Sequence, residues 1–284
     1  MSLEAAGKIE IKDLGEVIRL GFGAMHQTGE GIWGEPDDIE RAHAVLRRAV
    51  ELGVNFIDTA DSYGPEVSER LIAEALYPYA PGLKIATKAG QVRPGPGQWV
   101  PVGRPEYLRQ QVEMSLRTLR VEALDMFQLH RVDPHVPAAD QFGFMADLQR
   151  EGKAKSLGLS EVDVDLIREA EKHFTVASVQ NQYNLIDRKH EDVLDYCTEN
   201  GIAFIPWHPL ASGELAAPGG VLDEAAKRLG ATVSQVALAW LLQHSPMMLP
   251  IPGTSSPQHL EENLKAADLT LDDQTISELD AAAG

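Results

Sequence analysis

A chain of 284 residues, 44% hydrophobic and 24% charged, is long enough to bury a large core and too apolar for wholesale disorder. The 25 Lys and Arg against 43 Asp and Glu leave a formal charge of −18, which repels phosphate backbones and anionic bilayers and excludes nucleic acid and membrane as partners. The single cysteine excludes an internal disulfide framework and a Cys-rich zinc site; with no run near the ~18 apolar residues of a membrane span and no secretory signal over residues 1–10, the expected location is cytoplasmic.

Residues 8–20 read as a short hairpin with Asp13-Leu14-Gly15 at its turn. Apolar runs then recur at 19–25, 54–58, 84–88, 124–130, 155–160, 176–180, 203–207 and 248–251. Helical patterns fall at 36–52, 68–77, 105–119, 138–151, 164–173, 188–200, 233–243 and 257–266, and a last one at 272–283. In the first of these, Ala42, Val45, Leu46, Ala49 and Leu52 form one stripe that Gly53 ends. Strand and helix alternating from end to end predict an α/β protein, a (β/α)8 TIM barrel in one domain over 1–284. The hairpin would cap the barrel bottom and the last helix would be an extra one. The segments 89–103 and 208–220 are too long for plain connectors and follow strands, so a barrel would hang both over its C-terminal mouth.

Polar residues close the apolar runs: Asp58, Lys88, His130, Ser160 and Gln180. Alone, each has an ordinary structural reading as a cap or a satisfied core group. Five on one barrel rim predict a catalytic mouth. Gly29-Glu30-Gly31-Ile32-Trp33-Gly34 matches the dinucleotide pattern G-x-G-x-x-G, but Glu30 and the acids Asp37 and Asp38 that follow oppose a pyrophosphate. It is assigned to a loop, with Trp33 as a pocket wall. His130, Asp133 and His135 have irregular spacing across Pro134, so no metal is expected, and a metal-dependent hydrolase is the lesser enzymatic alternative.

With Asp58-Thr59-Ala60-Asp61-Ser62-Tyr63-Gly64 added, the chain resembles the aldo-keto reductases. The other matching pieces are Leu20-Gly21-Phe22-Gly23, Ala86-Thr87-Lys88, Gln128-Leu129-His130, Gly158-Leu159-Ser160, Val179-Gln180-Asn181-Gln182-Tyr183-Asn184 and Ile251-Pro252-Gly253, in family order over residues 17–280. The resemblance implies reduction of aldehyde or ketone carbonyls, with Asp58, Tyr63, Lys88 and His130 catalytic. The chemistry is consistent with those residue types. A tyrosine is a reluctant acid, Lys88 would pull its acidity up, Asp58 would fix Lys88, and His130 would bond the carbonyl oxygen. On residues alone, a structural Asp58–Lys88 pair beside a core tyrosine reads equally well. The family also includes nucleotide-binding regulatory barrels; in those, asparagine typically stands where this chain has His130, which favours the enzyme.

The resemblance further implies NADPH, with NADH possible. Ser160 and Gln180 would hold the carboxamide and Trp207 would stack on the ring, with Pro209, Leu210, Gly213, Leu215, Ile251 and Gly253 along the cofactor. Thr254 and Ser255, before a helix capped by Ser256, offer hydroxyls to a phosphate. Gly253 and His259 stand where many NADPH-using relatives have lysine and arginine, while Glu262 and Asn263 match the pair that contacts adenine. Trp207 and Glu161 depart from the usual tyrosine and asparagine, which puts part of the amide contact in doubt because a carboxylate only accepts. Met25, Trp33, Trp99, Trp207 and Arg131 would form an apolar cup with one basic edge, suited to an aromatic aldehyde, and pyridoxal is worth testing.

Overall fold

The computed structural model describes residues 3–210 and 219–282. It opens with an antiparallel hairpin, β1 (Lys8–Ile11) and β2 (Gly15–Ile18), whose turn puts Asp13 and Gly15 at φ 61° and 92°. Ile9, Ile11, Leu14 and Val17 face inward, onto Phe56, Ala86, Met126, Ala177, Ala203, Ile205, Leu249 and Ile251. The hairpin therefore plugs the barrel bottom, as predicted. Ser156 Oγ donates to Lys12 O (2.8 Å) and the Ile18 amide to Asn55 Oδ1 (2.9 Å), which ties the plug to the wall.

The barrel alternates β3 (Phe22–Gly23), α1 (Ile39–Glu51), β4 (Phe56–Asp58), α2 (Val67–Leu76) and β5 (Lys84–Ala89). A minor hairpin, β6 (Gln91–Val92) and β7 (Val100–Pro101), intervenes before α3 (Pro105–Thr118). Then come β8 (Leu124–Leu129), α4 (Ala138–Arg150), β9 (Ala154–Ser160), α5 (Val164–Ala170), β10 (Ser178–Gln182), α6 (Glu191–Asn200) and β11 (Ala203–Trp207). Helices α7 (Val221–Leu229), α8 (Val233–His244), α9 (Pro257–Leu264) and α10 (Asp273–Ala282) complete it. The parallel sheet runs β11-β10-β9-β8-β5-β4-β3. Its two edges meet across residues 247–251: Phe204 N–H donates to Met247 O, Leu249 N–H to Phe204 O and Gly21 N–H to Pro250 O, at 2.9, 2.8 and 3.0 Å. That segment is the eighth stave of a (β/α)8 barrel, although among the described residues its one ladder pairing is the bridge Phe204–Met248.

Several boundaries differ from the sequence reading. Helix α1 starts at Ile39 rather than 36, because the Asp38 carboxylate accepts from the Arg41 amide and caps it there. The predicted first strand shortens to two residues, and Met25 lies in a 3₁₀ turn, Ala24–Gln27. β10 runs to Gln182, so Gln180 lies inside a strand rather than at its end. Helix α7 had no counterpart: its N-cap is Gly220, which has no side chain to cap it, although Leu222, Ala225 and Ala226 form its buried stripe.

Gly158 lies where the barrel wall leaves no room for a side chain. A Cβ there would lie 2.1 Å from Ser178 Oγ, 2.9 Å from Ser178 O and 3.0 Å from Gln128 Cγ. Gly158→Ala is expected to destabilise by about 1–3 kcal/mol, the usual cost of overpacking, and to shift Gln128; thermal melting checks it, and an unchanged midpoint would contradict the packing.

Candidate active site

Ladder register puts the polar residues on one rim. Asp58 ends β4, Lys88 lies opposite Gln128 across β5 and β8, and Ser160 opposite Gln180 across β9 and β10. Lys88 Nζ donates to Asp58 Oδ1 (2.6 Å) and Thr59 O (2.9 Å), and lies 3.4 Å from the Tyr63 hydroxyl. The other Asp58 oxygen accepts from Gln180 Nε2 (2.9 Å) and Gln128 Nε2 (3.2 Å). Four strands thus converge on one buried carboxylate, and the ammonium it holds faces a phenol. The predicted Asp58–Lys88–Tyr63 constellation is assembled as a set.

Electrostatics assign protonation states. Burial opposes the Lys88 charge, but Asp58 and Tyr63 leave the ammonium above the ordinary lysine value. Burial raises the Tyr63 phenol; Lys88 pulls it down, and Asp58 partly cancels that pull. Lys88 thus pulls in the expected direction, but the net direction is upward because desolvation outweighs it. Burial, followed by the cations of Lys88, Arg131 and Arg93, holds His130 well below the usual imidazole value, so it is neutral at pH 7. Its Nδ1 lies 3.3 Å from Ser62 Oγ, a partner the sequence gave no sign of. With the ring neutral, the tautomer in which this hydroxyl donates to Nδ1 carries the ring proton on Nε2, free to face the cavity.

Tyr63 and His130 form one wall of a cavity of about 750 Å³. Of the predicted residues, Met25, Trp99, Arg131, Ser160, Gln180, Trp207, Pro209, Leu210, Ile251 and Gly253 also line it. Trp33 does not, and its place as a pocket wall is corrected. Gly31 and Ile32 both have positive φ (68° and 56°), so Ile32 lines the cavity while Trp33 bridges to Gly64 and stays 36% exposed. Nor are Thr254, Ser255, His259, Glu262 and Asn263 brought to that wall. Thr254 O accepts from Gln27 and its hydroxyl from the Ser256 amide, the His259 amide is capped by Ser256 Oγ, and Glu262 takes Gln258. Ser255 is exposed and Asn263 buried. Gly213 and Leu215 lie outside the described residues. His26, Ile32, Gln91 and His208, unmarked by the sequence, line the cavity too.

The two departures at Glu161 and Trp207 are one feature. Trp207 Nε1–H donates to Glu161 Oε1 (2.6 Å), which also accepts the Gln182 amide (2.6 Å), and His190 lies 3.7 Å from Oε2. An indole N–H can only donate and so needs an acceptor, whereas a phenol hydroxyl can also be met by a donor; here the carboxylate supplies the acceptor. Burial raises the Glu161 carboxyl, but His190, the Gln182 amide and Trp207 overcome this and hold it at about 2 against an ordinary 4.5. A depressed carboxyl stabilises the fold above its unfolded value and loses that contribution as pH falls toward its folded one. Glu161→Gln should therefore lose on the order of 2–3 kcal/mol at neutral pH. The melting gap to wild type should narrow as pH drops below about 4.5, and a gap independent of pH would refute the assignment.

Among the described residues, no group of three or more His, Cys, Asp or Glu side chains could hold a metal ion, and no helix is long and apolar enough to cross a membrane. The sequence profile of the Aldo/keto reductase family matches residues 19–283. An uncharacterized oxidoreductase of Schizosaccharomyces pombe (strain 972) is 58% identical over 275 residues, 97% of this chain and 89% of that protein. A pyridoxine 4-dehydrogenase of Escherichia coli (strain K12) is 43% identical over 270 residues, 93% of this chain and 94% of that one. Among solved structures, a thermostable aldo-keto reductase in complex with the inhibitor epalrestat matches with a TM-score of 0.84 at 31% identity, over 97% of this chain and 99% of its own. The chain therefore belongs to the aldo/keto reductase family, oxidoreductases that work on carbonyl groups with a nicotinamide cofactor.

Proposed function

We propose that the protein reduces aldehyde or ketone carbonyls to alcohols with NADPH, and that Tyr63 gives the proton. One observation carries this reading: the buried Lys88 ammonium, fixed by Asp58 at 2.6 Å, stands 3.4 Å from a phenol that opens on the cavity beside a neutral His130. Ser160, Gln180 and Trp207 would hold the nicotinamide of NADPH, which would supply the hydride that no side chain can. Tyr63 holds its proton at neutral pH because burial raises it, and donates toward the carbonyl oxygen as negative charge develops there. The Lys88 cation stabilises the phenolate left behind, and His130 Nε2–H orients the same oxygen.

The cavity suits a dinucleotide. Its volume lies in the range of cofactor sites, and Trp207 offers a flat aromatic face. Ser160 Oγ accepts from Arg131 at 3.0 Å and keeps its own proton to donate, while Gln180, with Nε2 on Asp58, keeps Oε1 to accept. A donor and an acceptor side by side complement a carboxamide, with no contribution required from Glu161. Fixed cations are absent at Gly253 and His259, so a modest preference for NADPH over NADH is the reading there.

For substrate, Met25, Ile32, Tyr63 and Trp99 make a largely apolar cup with Arg131 at one edge. This favours an aromatic aldehyde, and the E. coli relative's activity makes pyridoxal the first compound to try. Following NADPH absorbance with pyridoxal, benzaldehyde and aliphatic aldehydes tests the reading: cofactor-dependent reduction of an aromatic aldehyde supports it, and no oxidation of NADPH with any carbonyl defeats it.

A further inference from the structure

Arg93 lies in the Pro- and Gly-rich segment between β5 and α3, where an arginine ordinarily projects into water. Here it is 8% exposed. Its guanidinium bonds four main-chain carbonyls from three separate loops: Nε–H to Gln98 O (2.7 Å), one terminal nitrogen to Ile32 O (2.7 Å) and Ser62 O (3.0 Å), the other to Gly31 O (2.7 Å). Among the described residues no carboxylate pairs with it, so its charge is held by carbonyl dipoles, by the Trp99 ring, whose centroid is 3.6 Å from the guanidinium carbon, and more loosely by the Trp33 ring at 5.9 Å.

What this clamp holds is the reaction wall. Trp99 stands edge-on to Tyr63 (6.2 Å, 85°) and to His130 (6.1 Å, 69°). Ile32 lines the same cavity, and Ser62, whose carbonyl Arg93 grips, presents its hydroxyl to His130 Nδ1. Arg93 itself lines no part of that cavity, and its donors are turned to the protein. It therefore acts through others.

We propose that Arg93 is a positioning residue that sets substrate preference: by clamping the Gly31–Ile32 turn, Ser62 and Trp99 together, it makes Trp99 a fixed wall against which flat aromatic carbonyl compounds lie beside Tyr63 and His130. This rests on Tyr63 and His130 being the reaction centre. A planar fork with a stacking face performs both tasks at once, and a lysine ammonium performs neither.

Arg93→Lys, compared with wild type on benzaldehyde and on propanal, tests it. The variant should raise KM for benzaldehyde about tenfold, the scale of a lost aromatic contact, with propanal kcat/KM and NADPH affinity within about threefold. Tryptophan emission should shift to the red as Trp99 loosens, and most of the shift should vanish when the same substitution is made in a Trp99→Phe background, the remainder coming from Trp33, which also lies against the guanidinium. Trp99→Leu, which leaves the guanidinium in place, should lose the same aromatic preference. An unchanged ratio of benzaldehyde to propanal kcat/KM in either variant overturns the proposal, as does an equal loss on both substrates. A wild type inactive on all aldehydes strikes the functional reading instead, while the emission difference still decides whether Arg93 holds Trp99.

Discussion

Tyr63→Phe is expected to lower turnover by about 10²–10⁴ while leaving NADPH affinity and melting temperature near wild type. The ring's neighbours explain the separation. Tyr63 packs edge-on against Trp99 and His130 and its ring lies under the Lys88 ammonium, 5.1 Å from centroid to Nζ, contacts a phenylalanine keeps, while the hydroxyl meets Lys88 at a long 3.4 Å. The substitution thus removes a proton and little packing. In the wild type, the raised phenol should keep the reduction rate level through neutral pH and let it fall only in alkaline solution, where the proton is lost. Wild-type turnover in the variant would remove Tyr63 from the proton step. A variant that binds NADPH poorly would instead show that the hydroxyl shapes the cofactor site.

How much of this site was legible before the structure depends on what kind of contact defines each residue. Asp58, Lys88 and His130 were readable because a parallel barrel places residues at strand ends on one rim, and an apolar run ending in a charge marks such an end. Arg93 and Ser62 were not readable. Their partners are main-chain carbonyls and a ring nitrogen in other loops, and no spacing rule says which loops meet. Glu161 was visible as a departure, but its reason lies 46 residues away in Trp207. The Trp33 reading missed by one residue: Ile32 lines the cavity instead, next to two successive positive φ angles at Gly31 and Ile32, a conformation not expected of an isoleucine. Helix α7 went unread because its first residues supply no capping side chain, although its apolar stripe was there.

Lys88→Met should damage stability and chemistry together, and a second substitution should separate them. Deleting the ammonium leaves the Asp58 carboxylate buried with only the Gln128 and Gln180 amides as donors. An uncompensated buried charge costs about 3–5 kcal/mol, so chemical denaturation should show a large loss of stability. Turnover should fall as well, since the ammonium nearest the Tyr63 hydroxyl is gone and only the weaker pull of Arg131 is left to favour the phenolate. Adding Asp58→Asn removes the stranded charge: an amide oxygen still accepts from both glutamines, and the methionine fills the lysine's apolar volume. Most of the stability should return in Asp58→Asn/Lys88→Met, because replacing both members of a buried pair by neutral groups is often close to neutral. Turnover should stay low. Recovery of both properties in the double variant would reduce the pair to a structural one and leave Tyr63 without the cation assigned to it. Stability regained with activity still lost is the outcome that a buried ion pair serving a proton donor requires.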